Sequence, residues 1–218
     1  MRIPTRIKQF PNFLWALMDR HTTINKKQNV KSSIFHLCFF SCESYFAYLY
    51  CACHSLIKVL DNSHNYKVYV FSDSDMPITA EQVGALEKLM PNIHVVSWPK
   101  SMGWGHEQIK NIWDAYQYVA EKASDEDIIA RVDSDVFFFN NRIFNYVSAS
   151  EADLIGDGHF VNFDYVQGGC YFFKKTAIEK IYRHINDRGI ETALVGCHTV
   201  VEDVAADFLA KKLALTVK

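Results

Sequence analysis

The 218-residue sequence predicts an α/β fold, a mostly parallel sheet covered by helices on both faces. Three observations lead there. From Ser33 onward, short apolar runs alternate with segments of helical periodicity. The run from Ile128 to Phe139 is apolar on both sides, as a central strand with two covered faces must be. With 49% apolar and 14% aromatic residues, the chain can fill one sizeable core, which excludes a disordered polypeptide.

The elements follow in order. Ile34–Phe40 is a short apolar run and a buried strand candidate. Glu43 to Leu60 reads as a helix, because Tyr45, Leu49, Ala52, Leu56 and Val59 recur at three- and four-residue steps. Asp61–Asn65 is a turn, and Lys67–Phe71 a second strand that ends in Ser72–Asp73. Thr79–Leu89 is a helix opened by a Thr79 cap with Gln82 three residues on. Ile93–Trp98 is a third strand. A loop with Gly103, Trp104 and Gly105 leads into a helix over Glu107–Ala123. The fourth strand carries two acids, Asp133 and Asp135. A helix over Asn141–Ser148, a strand over Ala152–Gly156, a loop, a strand near Gly169–Phe173 and a helix over Thr176–Asn186 come next. A last helix spans Glu202–Leu213. No repeat or low-complexity linker divides residues 33–218, which read as one domain behind a leader at 1–32.

The leader is basic, with seven Lys and Arg in residues 1–31 against Asp19 alone. With Phe10, Phe13, Trp15 and Leu17 it suits either an arm packed on the domain or peripheral contact with an anionic membrane. The apolar run at 13–18 is too short to span a bilayer, and the stretch from Ile34 to Leu60 is broken by His36, Glu43 and His54. No signal peptide is visible. A net charge of −2 points to no nucleic-acid partner. The six cysteines form no C-x-x-C pair, and Cys51 and Cys53 suit neither a zinc ribbon nor a redox motif. A reducing, cytoplasmic location with optional membrane association is the expectation.

Asp133 and Asp135 carry the chemistry. Two carboxylates in an apolar run are costly to bury without a partner, and a hard divalent cation is the cheapest one. On an extended chain both would face one way. Ligands of open α/β sheets bind at the C-terminal strand edge, where this pair sits. Arg131 alternates with Asp133, so it either pairs with that acid or meets a phosphate.

At Asp133–Ser134–Asp135 the chain resembles the nucleotide-sugar-dependent glycosyltransferases of the A-type (GT-A) fold, whose hallmark is a D-x-D after a hydrophobic strand. Residues 34–60 followed by Val68–Asp73 look like the family's nucleotide-binding half, and Val166–Phe173 like its sugar-facing strand. Val201–Glu202–Asp203–Val204 looks like the acidic motif before its late helix, in the style of β-1,3-galactosyltransferases and Fringe-like enzymes. The resemblance implies a Mn²⁺ or Mg²⁺ ion on Asp135 and Asp133, with Asp133 also reaching the donor. It implies a nucleotide diphosphate sugar, most simply a UDP-sugar, and a carbohydrate or lipid-linked acceptor. Asp203 would be the general base of an inverting transfer, its ionised form favoured at a helix N-terminus, and Glu202 would orient the site.

Weaker donor-site candidates are Asp73 at a strand end, Lys110 facing diphosphate, and Gly168 with Gly169, which remove side chains where a ligand approaches the backbone. Trp104 and His106 could stack on a sugar or base. His159, His184 and His198 are isolated, and no histidine follows Asp203 to help hold a metal. Asp133–Ser134–Asp135–Val136 with Gly156–Asp157 also mimics haloacid-dehalogenase-type phosphatases, but the separation is too short for their intervening elements. A nucleotidyltransferase would need a Gly-rich basic loop where Phe40–Ser44 stands. A non-catalytic nucleotide-sugar-binding module is the remaining alternative.

Overall fold

The computed structural model describes residues 33–60, 65–101, 105–156, 158–160, 163–166 and 169–218. The leader with its membrane contact, Trp104, Asp157 and Gly168 lie outside the described residues.

The chain alternates strand and helix as its periodicity requires. β1 (Ile34–Ser41) leads through a 3-10 turn at Glu43–Tyr45 into α1 (Phe46–Leu60). β2 (Asn65–Ser72), α2 (Ala80–Leu89), β3 (Ile93–Ser97), α3 (Gly105–Ala120) and β4 (Ile128–Val132) follow. α4 (Arg142–Ala149), β5 (Leu154–Ile155), β6 (Gly158–Phe160), β7 (Phe163–Tyr165) and β8 (Cys170–Lys174) come next. α5 (Lys175–Arg188), α6 (Ile190–Ala193) and α7 (Glu202–Lys212) complete the described elements. The capping box of α2 is present: Thr79 accepts from the Gln82 backbone, and the Gln82 side chain accepts from the Thr79 N–H.

Six strands form one sheet in the order β3-β2-β1-β4-β8-β5. β1 to β4 are mutually parallel, whereas β8 runs antiparallel to both β4 and β5. The sheet is therefore mixed and mostly parallel. Alternation divides each strand between two cores. Cys38, Tyr69, Phe71, Ile129, Tyr171 and Phe173 face α3, α5 and α7 on one side. Phe35, Leu37, Val70, Ala130, Val132 and Phe172 face α1, α2 and α4 on the other. Burying both faces of the central strands excludes water from the ladder and fixes its register.

Two sequence expectations change. The fourth strand ends at Val132, one residue before the acids, so Asp133 and Asp135 do not share one face of an extended strand. Asp133 instead opens a turn in which the Val136 N–H donates to the Asp133 carbonyl at 3.1 Å. Asp and Ser side chains favour local turn bonding over a ladder, and an acid pair cannot continue a run buried on both faces. The segment after β5, read as a loop, holds the β6–β7 hairpin.

Candidate functional site

The parallel strands deliver their C-terminal ends to one edge, and the candidate residues gather there. β1 ends in Ser41, β2 leads to Asp73, and β4 leads to Asp133. The Asp73 N–H donates to the Ser41 carbonyl at 2.9 Å, which ties the first two ends together. The Asp133 N–H donates to the Gly169 carbonyl at 2.9 Å and extends the β4–β8 pairing by one bond past the strand. A cleft of about 220 Å³ opens at this edge, walled by Ser41, Tyr45, Asp73, Gln108 and Arg131 among others.

Arg131 organises the acids. It sits on β4 with its side chain 12% exposed, on the face that α3 and α7 cover. Nη2 lies 2.7 Å from Asp133 Oδ1, and Nε lies 3.4 Å from Glu202 Oε1, the first residue of α7. The guanidinium packs 4.8 Å from the centre of the Phe40 ring. Tyr116 on α3 donates to Glu202 Oε1 at 3.3 Å and meets the Tyr171 hydroxyl at 3.1 Å. Arg131 thus joins the end of β4 to the start of α7 across 71 residues of chain, and the Tyr116 phenol joins α3 to the same acid.

Charge in the cluster is unbalanced. Burial pushes the Asp133 carboxyl above its usual range. Arg131 pulls it back, while Asp135 and Asp203 push it up again. Glu202 is raised to about 7, first by burial and then by Asp203 and Asp133, against the pull of Arg131 and the Tyr116 hydroxyl. Burial opposes the Arg131 charge, but Glu202 and Asp133 more than offset this and raise its pKa. Asp133 and Glu202 therefore share one guanidinium, while Asp203 acts on both of them and Asp135 on Asp133. Asp135 is exposed beside them, and Asp203 is half-buried with Oδ1 accepting from the Val204 N–H at 2.7 Å.

The structure brings Asp133, Asp135, Glu202 and Asp203 into one electrostatic cluster and sets Asp73 on the adjoining cleft. Lys110 lies elsewhere on α3. It pairs with Asp114, which also holds Lys100 at 2.9 Å, and its Nζ sits 5.4 Å from the Tyr182 ring centre. Gly169 contributes its carbonyl to Asp133, and a Cβ there would meet Val136 Cγ2 at an ordinary 3.6 Å. His106 lies in the first turn of α3, and His184 on α5. Tyr116 is the participant that sequence reasoning missed. Its helical spacing marks it as core, and nothing local reveals that its hydroxyl meets an acid.

Asp133 and Asp135 supply only oxygen donors, the set that suits Mg²⁺ or Mn²⁺. Their mutual repulsion is what a bound dication would relieve. Among the described residues no group of three His, Cys, Asp or Glu side chains could hold a metal ion. An ion on this pair would fill its shell with water and phosphate oxygens, as Mg²⁺ in nucleotide sites does. The donor chemistry fits.

Two crystal structures of LgtC resemble this chain. The galactosyltransferase LgtC in complex with donor and acceptor sugar analogues has a TM-score of 0.55 at 15% identity, covering 84% of this chain and 72% of that one. An active-site mutant of LgtC has a TM-score of 0.54 at 15% identity, covering 80% and 70%. The fold is that of the GT-A glycosyltransferases. At this identity the likeness concerns architecture alone. No protein-family profile matches the sequence, and no curated protein does. Among the described residues no helix is long and apolar enough to cross a membrane.

Proposed function

We propose that the chain is a metal-dependent glycosyltransferase. Its donor is a nucleotide diphosphate sugar, with UDP-sugars the first to test, and its acceptor a hydroxyl of a carbohydrate or lipid-linked glycan. The observation that carries this reading is the convergence of Asp133 and Asp135, after β4, with Glu202 and Asp203, at the start of α7. A GT-A-type sheet with an acid pair at its C-terminal edge and a second acid pair beside it has the parts that sugar transfer requires.

The chain's own residues divide the work. Asp135, exposed, and Asp133 would hold Mn²⁺ or Mg²⁺, which would neutralise the departing diphosphate. Asp73 and Tyr45 line the cleft where a nucleoside fits. Asp203 takes the proton of the acceptor hydroxyl, whose oxygen bonds to the anomeric carbon as the bond to the diphosphate breaks. Direct displacement inverts the anomeric centre. Glu202, held by Arg131 and Tyr116, fixes the start of α7 and so the place of Asp203.

A panel of nucleotide sugars with Mn²⁺, scored by thermal stabilisation and then by diphosphate release with acceptors, tests the reading. A ligand that binds only the folded state raises its melting temperature by mass action. Stabilisation by nucleoside diphosphates and Mn²⁺ without transfer to any acceptor would favour the binding-module alternative. Pyrophosphate release from a nucleoside triphosphate would favour a nucleotidyltransferase.

A further inference from the structure

Arg131 does more than neutralise a buried acid. Its guanidinium has three nitrogens in three situations. Nε faces Glu202, Nη2 holds Asp133 at 2.7 Å, and Nη1 is buried with no hydrogen-bond partner. The side chain also forms part of the wall of the cleft that Asp73 lines. The arginine thus occupies one oxygen of a carboxylate that a dication needs, while one of its donors, Nη1, stays buried and unused. An arginine fork is shaped for bidentate contact with phosphate.

On the reading proposed above, we propose that Arg131 is an exchangeable counter-ion: it competes with the divalent cation for Asp133 and, once displaced, turns its freed nitrogens to the diphosphate while Glu202 anchors it. Electrostatics sets the order. Even without Glu202, which burial inclines to keep its proton, Asp133, Asp135 and Asp203 outnumber the single guanidinium, so a diphosphate entering alone meets net negative charge. A cation on Asp135 and Asp133 removes that repulsion and replaces Arg131 at Asp133 Oδ1. The diphosphate then meets two cations, and each ligand promotes the binding of the other.

The test uses the full chain with Mn²⁺ and UDP as probes, and reads Mn²⁺ affinity by paramagnetic resonance and UDP affinity by calorimetry. Arg131→Met strands Glu202 in a buried site and risks misfolding. The variant to measure is therefore Arg131→Met with Glu202→Gln, compared with Glu202→Gln alone. The two affinities should move in opposite directions. Without nucleotide, loss of the arginine tightens Mn²⁺ binding; with Mn²⁺ saturating, it weakens UDP binding, each on the order of tenfold. Arg131→Lys should fall between, since a lysine keeps the charge and loses the fork. Both affinities falling together, as for a purely structural arginine, would overturn the proposal, and so would both staying unchanged. Asp135→Ala separates this outcome from failure of the functional reading. If that variant loses Mn²⁺ while the arginine variants show no opposed shifts, the metal site stands and the exchange does not. If Asp135→Ala leaves Mn²⁺ binding unchanged, both fall.

Discussion

The Tyr116 hydroxyl donates to Glu202 Oε1 at 3.3 Å while meeting the Tyr171 hydroxyl at 3.1 Å, so the acid that opens α7 is held from the middle of α3 by a phenol that itself meets β8. All three groups are buried. Tyr116→Phe removes the link and leaves the Tyr171 hydroxyl without its partner. It should cost about 1–3 kcal/mol in urea unfolding. The Tyr116 hydroxyl also favours the Glu202 carboxylate, so the variant should push that pKa further above about 7. A carboxyl titration followed by NMR would show this, and an unchanged Glu202 midpoint would refute it.

The raised pKa of Glu202 has a sign for stability. The folded chain keeps this proton where the unfolded chain has lost it. The group's contribution is complete below its unfolded pKa and disappears as pH rises through about 7. In chelator, Glu202→Gln should flatten the pH dependence of the melting temperature between about pH 4.3 and 7 relative to the parent chain.

At the opposite end of β1, His36 Nε2 lies 3.0 Å from Asp127 Oδ2. Burial lowers the His36 pKa despite the carboxylate beside it. Burial opposes the Asp127 charge too, but the backbone N–H groups of Ile34 and Ser124, together with His36, outweigh it and lower that pKa. Both groups bind fewer protons folded than unfolded, so both favour the fold at neutral pH. The His36 contribution is lost first, as pH falls below its ordinary value, and the Asp127 contribution further into acid. His36→Gln should melt with a shallower pH slope below about 6.5. Parallel slopes for the two proteins would show that His36 does not set it.

The site acids should separate by assay. Asp135→Ala should abolish Mn²⁺-dependent stabilisation by nucleoside diphosphates. Asp203→Asn should keep donor binding and lose transfer by on the order of 10²–10⁴-fold, the usual contribution of a general base. Normal turnover by Asp203→Asn would remove the base from Asp203.

Two glycines should respond in opposite directions. A Cβ at Gly156 would lie 2.8 Å from Val166 Cβ and 2.9 Å from Tyr171 Cβ, closer than packed atoms tolerate. Gly156→Ala should destabilise by about 1–3 kcal/mol in chemical denaturation. Gly84 lies inside α2 with no atom within 4 Å of an added Cβ. Gly84→Ala should stabilise by about 0.4–1 kcal/mol, chiefly by restricting the unfolded chain.

What the amino-acid order determined was local. The apolar run of Ile34–Phe40 and the three- and four-residue spacing of apolar residues in Glu43–Leu60 mark strand and helix within each segment, because each apolar face must find cover. The Thr79–Gln82 box is legible for the same reason: both partners lie within one turn. The acids of the candidate site could be named because ionisable groups beside apolar runs are rare enough to stand out. Only tertiary structure decided how those acids meet. The end of β4 bends Asp133 and Asp135 into a turn because a strand buried on both faces cannot carry them further. Arg131 chooses Asp133 and Glu202, and Tyr116 turns its hydroxyl to the same acid, because α3 and α7 cover one face of the sheet. Lys110, by sequence a phosphate candidate, is by contrast a local case: it pairs with Asp114 four residues on along the same helix. Contacts between distant segments depend on how whole faces pack, and no window of sequence encodes that alone.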